Sequence, residues 1–291
     1  MNPRTLTGNA LLLTPDGRLR APWRSLLFIV ALFIAVALAI TLEAFLDSAA
    51  LAAGYKPLVS EWGFALGALV ATAAMLFWVE HKSWDYVGLD SRVANPGLLA
   101  RYTLLGVLAI AVPSLVLMAM GQLRAVPAAP GSWWAATGLT FANLLPAAAG
   151  EELLLRGYIF AVLREAIGWR WTLIATSIVF GLFHVPNPGA DAESVLLVML
   201  AGFFLGAVLL ATRSLYAAIA AHFGWNWAMA AGLHTPVSGI PVLAPDYRVV
   251  DAGPDWLTGG GWGPEGGLAA AVSMFVVVVY IYARHLRRME Q

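Results

Sequence analysis

Residues 25–41 read SLLFIVALFIAVALAIT, a stretch without one charged side chain. Arg18, Arg20 and Arg24 precede it, and Glu43 and Asp47 follow it. With its flanks the run extends over 23–45, and about 20 apolar residues suffice to cross the roughly 30 Å of a bilayer interior. It is too long for the apolar region of a secretory signal, and acidic residues stand where a small-residue cleavage site would be. It is therefore expected to stay on the chain as a first membrane span.

The rest of the composition agrees. Of 291 residues, 60% are apolar and 12% charged, with a mean hydropathy of +0.76, against about 25% charged in a soluble domain. So few charges cannot cover a 31 kDa globule, and most of its surface must meet lipid. The 17 basic and 17 acidic residues balance, which argues against a nucleic-acid partner. There is no cysteine, so disulfides, thiolate metal sites and cysteine nucleophiles are excluded. Most of the twelve tryptophans are expected to anchor helix ends at the headgroup level.

Seven further apolar segments follow, at 62–79, 98–120, 133–163, 169–185, 195–211, 215–233 and 268–283. The expectation is an all-α, polytopic membrane protein of about eight transmembrane helices, a single domain over 1–291. The segment at 133–163 is long and interrupted by Pro146 and by Gly150-Glu151-Glu152. With both termini in the cytoplasm (N-in, C-in), thirteen basic residues fall on inside segments. Only Lys56, Arg124 and Arg248 fall outside, and Arg156 lies within a span. That asymmetry follows the positive-inside rule and suits a cytoplasmic or inner membrane, and the style of the N-terminal stretch points to a bacterial one. Residues 234–267 form the one long connection. It is rich in Gly and Pro and contains Asp246, Asp251 and Asp255, which reads as an irregular outer loop. No internal repeat is present to support an inverted-repeat transporter.

A charge inside a span costs about 2.5–3.5 kcal/mol on insertion scales, so intramembrane polar residues are functional candidates. They are Glu151, Glu152, Arg156, His184, His222 and Asn226. At 1.5 Å per residue, Glu151, His184 and Asn226 all lie roughly 20 Å from the cytoplasmic edge, and His222 roughly 13 Å. Convergence on one buried site is expected. Glu152 and Arg156 are four apart and share a helix face, while Glu151 points about 100° away, free to meet something else. His222 and Asn226 share a stripe, as do Phe180 and His184, so the Phe180 ring can buttress the imidazole.

These residue types suit peptide hydrolysis, which needs an activated water, a base, and donors for the oxyanion. Glu151 is the candidate base, and His184 can share the water or protonate the leaving amine. His222 and Asn226 can donate to the oxyanion. A zinc ion held by Glu151, His184 and His222 is also conceivable. No His-Glu-x-x-His, no Gly-x-Ser-x-Gly and no pair of intramembrane aspartates is present.

Glu151-Glu152-Leu-Leu-Leu-Arg156, Phe180-Gly-Leu-Phe-His184 and His222-Phe-Gly-Trp-Asn226, in this order on successive spans, resemble the EExxxR, FxxxH and HxxxN motifs of the CAAX protease and bacteriocin-processing (CPBP) family. That family includes the type II CAAX prenyl endopeptidases. The resemblance implies a core at about 133–233 and an intramembrane endopeptidase. Its substrate would be a peptide or protein segment that reaches the membrane. Carried over, Glu151 activates water with His184 as its partner, and His222 and Asn226 form the oxyanion site. Glu152 and Arg156 shape the site or bind substrate. The family has been described both as metalloproteases and as metal-free glutamate enzymes. The metal-free reading is preferred here, because Asn226 is a better donor than ligand.

Plainer readings stand beside these. Glu152–Arg156 can be a structural pair, and the two histidines and Asn226 can be interhelical glue. His81 and His285 are expected in solvent, and His234 in the outer loop. Asp191 and Glu193 are expected in solvent in the short outer loop between the fifth and sixth spans rather than in a substrate gate, and Glu43 and Asp47 at the outer interface. Gly202 and Gly206 are expected to pack helices within the bundle. A catalytically idle immunity or scaffold protein on the same fold, and a proton-coupled transporter, are the rival functions.

Overall fold

The computed structural model of the chain describes residues 11–54 and 61–289, so Arg4 and Lys56 of the charge count lie outside the described residues. Its helices are α1 (Ala21–Ala52), α2 (Trp62–Ala74), α3 (Pro96–Ala119), α4 (Trp133–Glu152), α5 (Ile159–Phe183), α6 (Ala192–Thr212), α7 (Leu215–Trp227), the short α8 (Asp255–Thr258) and α9 (Leu268–Arg284). Among the described residues, five helical stretches are long and apolar enough to cross a membrane: Ala21–Ala52, Trp62–Glu80, Pro96–Ala119, Trp133–Phe183 and Ala192–Thr212. Leu268–Arg284 is a shorter apolar helix. The outward side chains of α1, such as Phe33, Leu38 and Phe45, are about 70% exposed. Such a face is stable only against lipid, and the chain is an integral membrane protein.

The stretch Trp133–Phe183 is not one rod. Gly168 has φ 78°, ψ 163°, a conformation in which a β-carbon is strained and glycine is not. The consequence is measurable. Arg156 and Phe180, twelve residues to either side of Gly168, would be roughly 36 Å apart on a straight helix. Instead the Arg156 guanidinium lies 4.2 Å from the Phe180 ring centroid. The chain doubles back at Gly168, which accounts for two expected spans within one helical stretch.

α3 packs along α7, α1 along α2, and α5 along α6, while α4 contacts both α2 and α7. The α3–α7 contact is backbone to backbone. A β-carbon at Gly106 would collide with the Ala221 carbonyl, and one at Gly224 with the Thr103 carbonyl. Gly202 and Gly206 pack likewise against Ser177 and Leu173 of α5, inside the bundle. Both α4 and α7 end in a wider π turn, Leu153–Tyr158 and Ala228–Leu233 respectively. Such turns often sit beside functional residues.

At one end of the bundle α1, α5 and the π turn Met75–Glu80 that follows α2 meet through ions. Arg24 binds Glu80 at 2.6 Å and Glu165 at 2.9 Å, and Lys82 also binds Glu165 at 2.8 Å. Tyr158 donates to Glu80, and Arg24 donates to the Tyr86 hydroxyl. Burial pushes the Tyr86 phenol above its usual range.

The segment 234–267 is more ordered than its composition suggests. β2 (Tyr247–Asp251) pairs antiparallel with β1 (Leu123–Pro127), from Leu123↔Asp251 to Pro127↔Tyr247. Leu123 and Val249 close an apolar cluster with Leu117 and Leu233, which is what burial offers these short strands. His234 is not a solvated loop residue. It is buried, and its Nδ1 bonds the Tyr247 carbonyl at 2.8 Å. His81 and His285 are exposed, as expected. Asp191 caps α6 by accepting from the Ser194 N–H, which holds its carboxyl below the usual range.

Candidate active site

Consecutive residues on a helix face different ways, and the end of α4 uses this. Glu152 is fully buried. Its Oε1 accepts from Arg156 at 3.0 Å and from His222 Nδ1 at 3.0 Å. Arg156, also buried, donates onward to the Gly202 carbonyl at 3.2 Å. Glu151 points into a cavity instead. Its Oε2 has no hydrogen-bond partner among the described residues and lies 3.9 Å from His222 Nε2. That distance is beyond a direct hydrogen bond.

His222 therefore stands between the two glutamates. Since the Glu152 carboxylate only accepts, the proton of this contact belongs on Nδ1, and Nε2 is turned to the cavity. His184 is fixed in the same way from its own helix. Its Nδ1 lies 2.8 Å from the Phe180 carbonyl, so that nitrogen carries the proton and Nε2 is left free. Phe180 does more than buttress one imidazole. Its buried ring contacts His184 (4.9 Å), His222 (5.8 Å, edge-on) and Arg156 (4.2 Å). Asn226, one turn beyond His222, keeps its amide free of any hydrogen bond among the described residues.

Glu151, His184, His222 and Asn226 line one cavity of about 400 Å³. Four residues from three helical segments, up to 75 positions apart in sequence, thus meet one space. The link between His222 and Glu152, rather than Glu151, was not anticipated from spacing. A second cavity of about 370 Å³ adjoins the first through Phe64, Leu144, Ala147 and Glu151, with Glu61 and Asn143 on its far wall.

The donor set does not fit a metal ion. Among the described residues no group of three or more His, Asp and Glu is placed to hold one. The zinc arrangement of Glu151, His184 and His222 is not formed, and no step below passes through a metal.

Sequence reasoning missed the roof of the cavity. Asn187 and Ser238 line it, and Asn187 donates to the Ser238 carbonyl at 2.9 Å. Behind them the buried Glu265 accepts from the Ser238 N–H (2.6 Å), the Ser238 hydroxyl (2.7 Å) and the Trp225 indole (2.8 Å). Trp225 sits on α7 between His222 and Asn226, so the outer connection is tied to the helix that carries them. The only sequence signal was an isolated glutamate in the glycine run 259–267.

Residues 132–228 match the model of a protein family described as type II CAAX prenyl endopeptidase, Rce1-like. The match spans about a third of the chain. It contains Glu151, Glu152, Arg156, Phe180, His184, His222 and Asn226, and it ends before Ser238 and Glu265. No curated protein matches the chain.

Proposed function

We propose that this chain, which carries an Rce1-like domain at residues 132–228, is an intramembrane endopeptidase. The observation that carries the reading is the Glu151 carboxylate, whose Oε2 makes no hydrogen bond among the described residues, in a cavity shared with two imidazoles and a free amide. In this reading Glu151 takes a proton from water as the water oxygen bonds to the substrate carbonyl carbon. The carbonyl oxygen becomes an oxyanion and accepts from the Asn226 amide and from His222 Nε2–H when that nitrogen is protonated. As the C–N bond breaks, the leaving nitrogen receives a proton from Glu151 or through His184. Donors placed in advance around the developing charge are commonly the largest single contribution to such catalysis. Glu152, held by Arg156, orients His222 through Nδ1.

The same reading gives eight spans with both ends cytoplasmic, in a bacterial cytoplasmic membrane. α1, α2, α3 and α6 are four of the spans. The halves of Trp133–Phe183 on either side of Gly168 make two more, and α7 with its π turn and α9 complete the set. The clustering of Arg24, Lys82, Glu80 and Glu165 at one end supports the shared side of their segments. The substrate is a peptide or protein segment that reaches the cavity within the membrane.

The test is reconstitution in liposomes with a panel of membrane-anchored peptides, prenylated and unprenylated, read for new termini and for proton flux. Cleavage by the wild type and its loss in Glu151→Gln and His222→Ala support the peptidase. Proton-coupled flux without cleavage of any peptide would give the chain to a transporter.

A further inference from the structure

The catalytic residues supply donors for a carbonyl, but a bound peptide also brings N–H groups that need acceptors. The roof of the cavity provides one. Ser238 lines it beside His184, His222 and Asn226. Its hydroxyl proton is already spent on Glu265 Oε1, 2.7 Å away. A hydroxyl has one proton and two lone pairs, so this one can only accept from anything inside the cavity.

The residue is held in place with some force. Ser238 has φ 48°, a left-handed conformation that costs a non-glycine residue about 1–2 kcal/mol. It persists because the turn is clamped on both flanks. Asn187 holds its carbonyl, and Glu265 holds its N–H and hydroxyl. The next residue is pinned as Gly239 N–H donates to the Trp262 carbonyl at 2.9 Å. Glu265 has no cation partner among the described residues. Its three hydrogen bonds serve the roof and Trp225 alone. Burying a carboxylate is costly, and here three donors rather than a cation offset that cost.

We propose that Ser238 is a substrate-binding residue that accepts a backbone N–H of the bound peptide, and that Glu265 is the positioning residue that turns its hydroxyl to do so. This rests on the peptidase reading and extends it. The peptide is gripped on its N–H side by the outer connection and on its C=O side by α7, with Trp225–Glu265 joining the two.

The experiment uses full-length protein in detergent and peptides in which each backbone amide near the scissile bond is replaced in turn by an ester, which removes one N–H. Binding is measured on Glu151→Gln protein, and cleavage on otherwise wild-type protein. One replacement is expected to weaken binding about tenfold, the scale of one hydrogen bond. Adding Ser238→Ala should bring the affinities for that peptide and its ester within about twofold, and Glu265→Leu, which has no acceptor, should narrow the gap in the same direction. Loss of packing alone would weaken both ligands alike and keep their ratio. Retention of the full ester discrimination by folded Ser238→Ala protein, or by folded Glu265→Leu protein should the former not fold, overturns the proposal and leaves the peptidase standing. No binding or cleavage of any peptide by wild-type protein overturns both.

Discussion

His222 Nδ1 lies 3.0 Å from Glu152 Oε1, a contact between two almost fully buried side chains 70 residues apart. The same carboxylate holds Arg156. Glu152 thus serves one imidazole and one guanidinium at once, and its neighbour Glu151 is left free. The two glutamates of one dipeptide are divided between structure and chemistry.

Removing Glu152 should therefore damage the fold first. Glu152→Ala leaves a buried Arg156 without its counter-ion, and breaking one side of such a pair costs about 3–5 kcal/mol. Thermal unfolding in detergent should show a large drop in Tm. Glu151→Gln, at a cavity wall with no hydrogen bond to lose, should unfold within a few degrees of the wild type.

Asn226→Ala removes a proposed oxyanion donor and nothing that the fold uses. The expected result is a fall of about 10²–10³ in kcat with KM changed little, read from steady-state cleavage. A matching rise in KM at constant kcat would mean that the amide binds substrate and transition state alike.

Gly224→Leu forces α7 away from α3, where the Thr103 carbonyl occupies the space of a side chain. Overpacking of this kind costs about 1–3 kcal/mol. Because α7 carries His222 and Asn226, activity at temperatures well below Tm should fall by more than stability alone explains. Comparison of kcat for folded Gly224→Leu and wild-type protein checks this.

The sidedness of the bundle can be read directly, since the chain has no cysteine of its own. Single cysteines at His285 and at Trp256, both exposed, should react with an impermeant thiol reagent from opposite faces of inverted and right-side-out vesicles. Labelling of both from one face would contradict the eight-span arrangement.

What the sequence made legible follows from two physical facts. Charges do not enter a bilayer without cause, so Glu151, Glu152, Arg156, His184, His222 and Asn226 stood out. Helical rotation is regular, so the division between Glu151 and Glu152 could be worked out from spacing alone. The rotation of one helix against another has no such rule, and the bond from Glu152 to His222 was not foreseeable. The strands Leu123–Pro127 and Tyr247–Asp251 are too short to show alternation. Ser238 and Glu265 lie in a connection with no periodicity, where a buried carboxylate looks like any loop acid. The expected spans 133–163 and 169–185 were already separate in the sequence, and the turn at Gly168 falls between them.

The central claim is that Glu151 activates the attacking water. Its most direct measurement is single-turnover cleavage of one saturating peptide by wild-type and Glu151→Gln protein in ¹⁸O-labelled water, with folding of both checked by their unfolding curves. The account predicts label in the new carboxyl terminus for the wild type, and for Glu151→Gln a rate lower by about 10²–10⁴, the range of a general base. A folded Glu151→Gln protein that cleaves within tenfold of the wild type would contradict it.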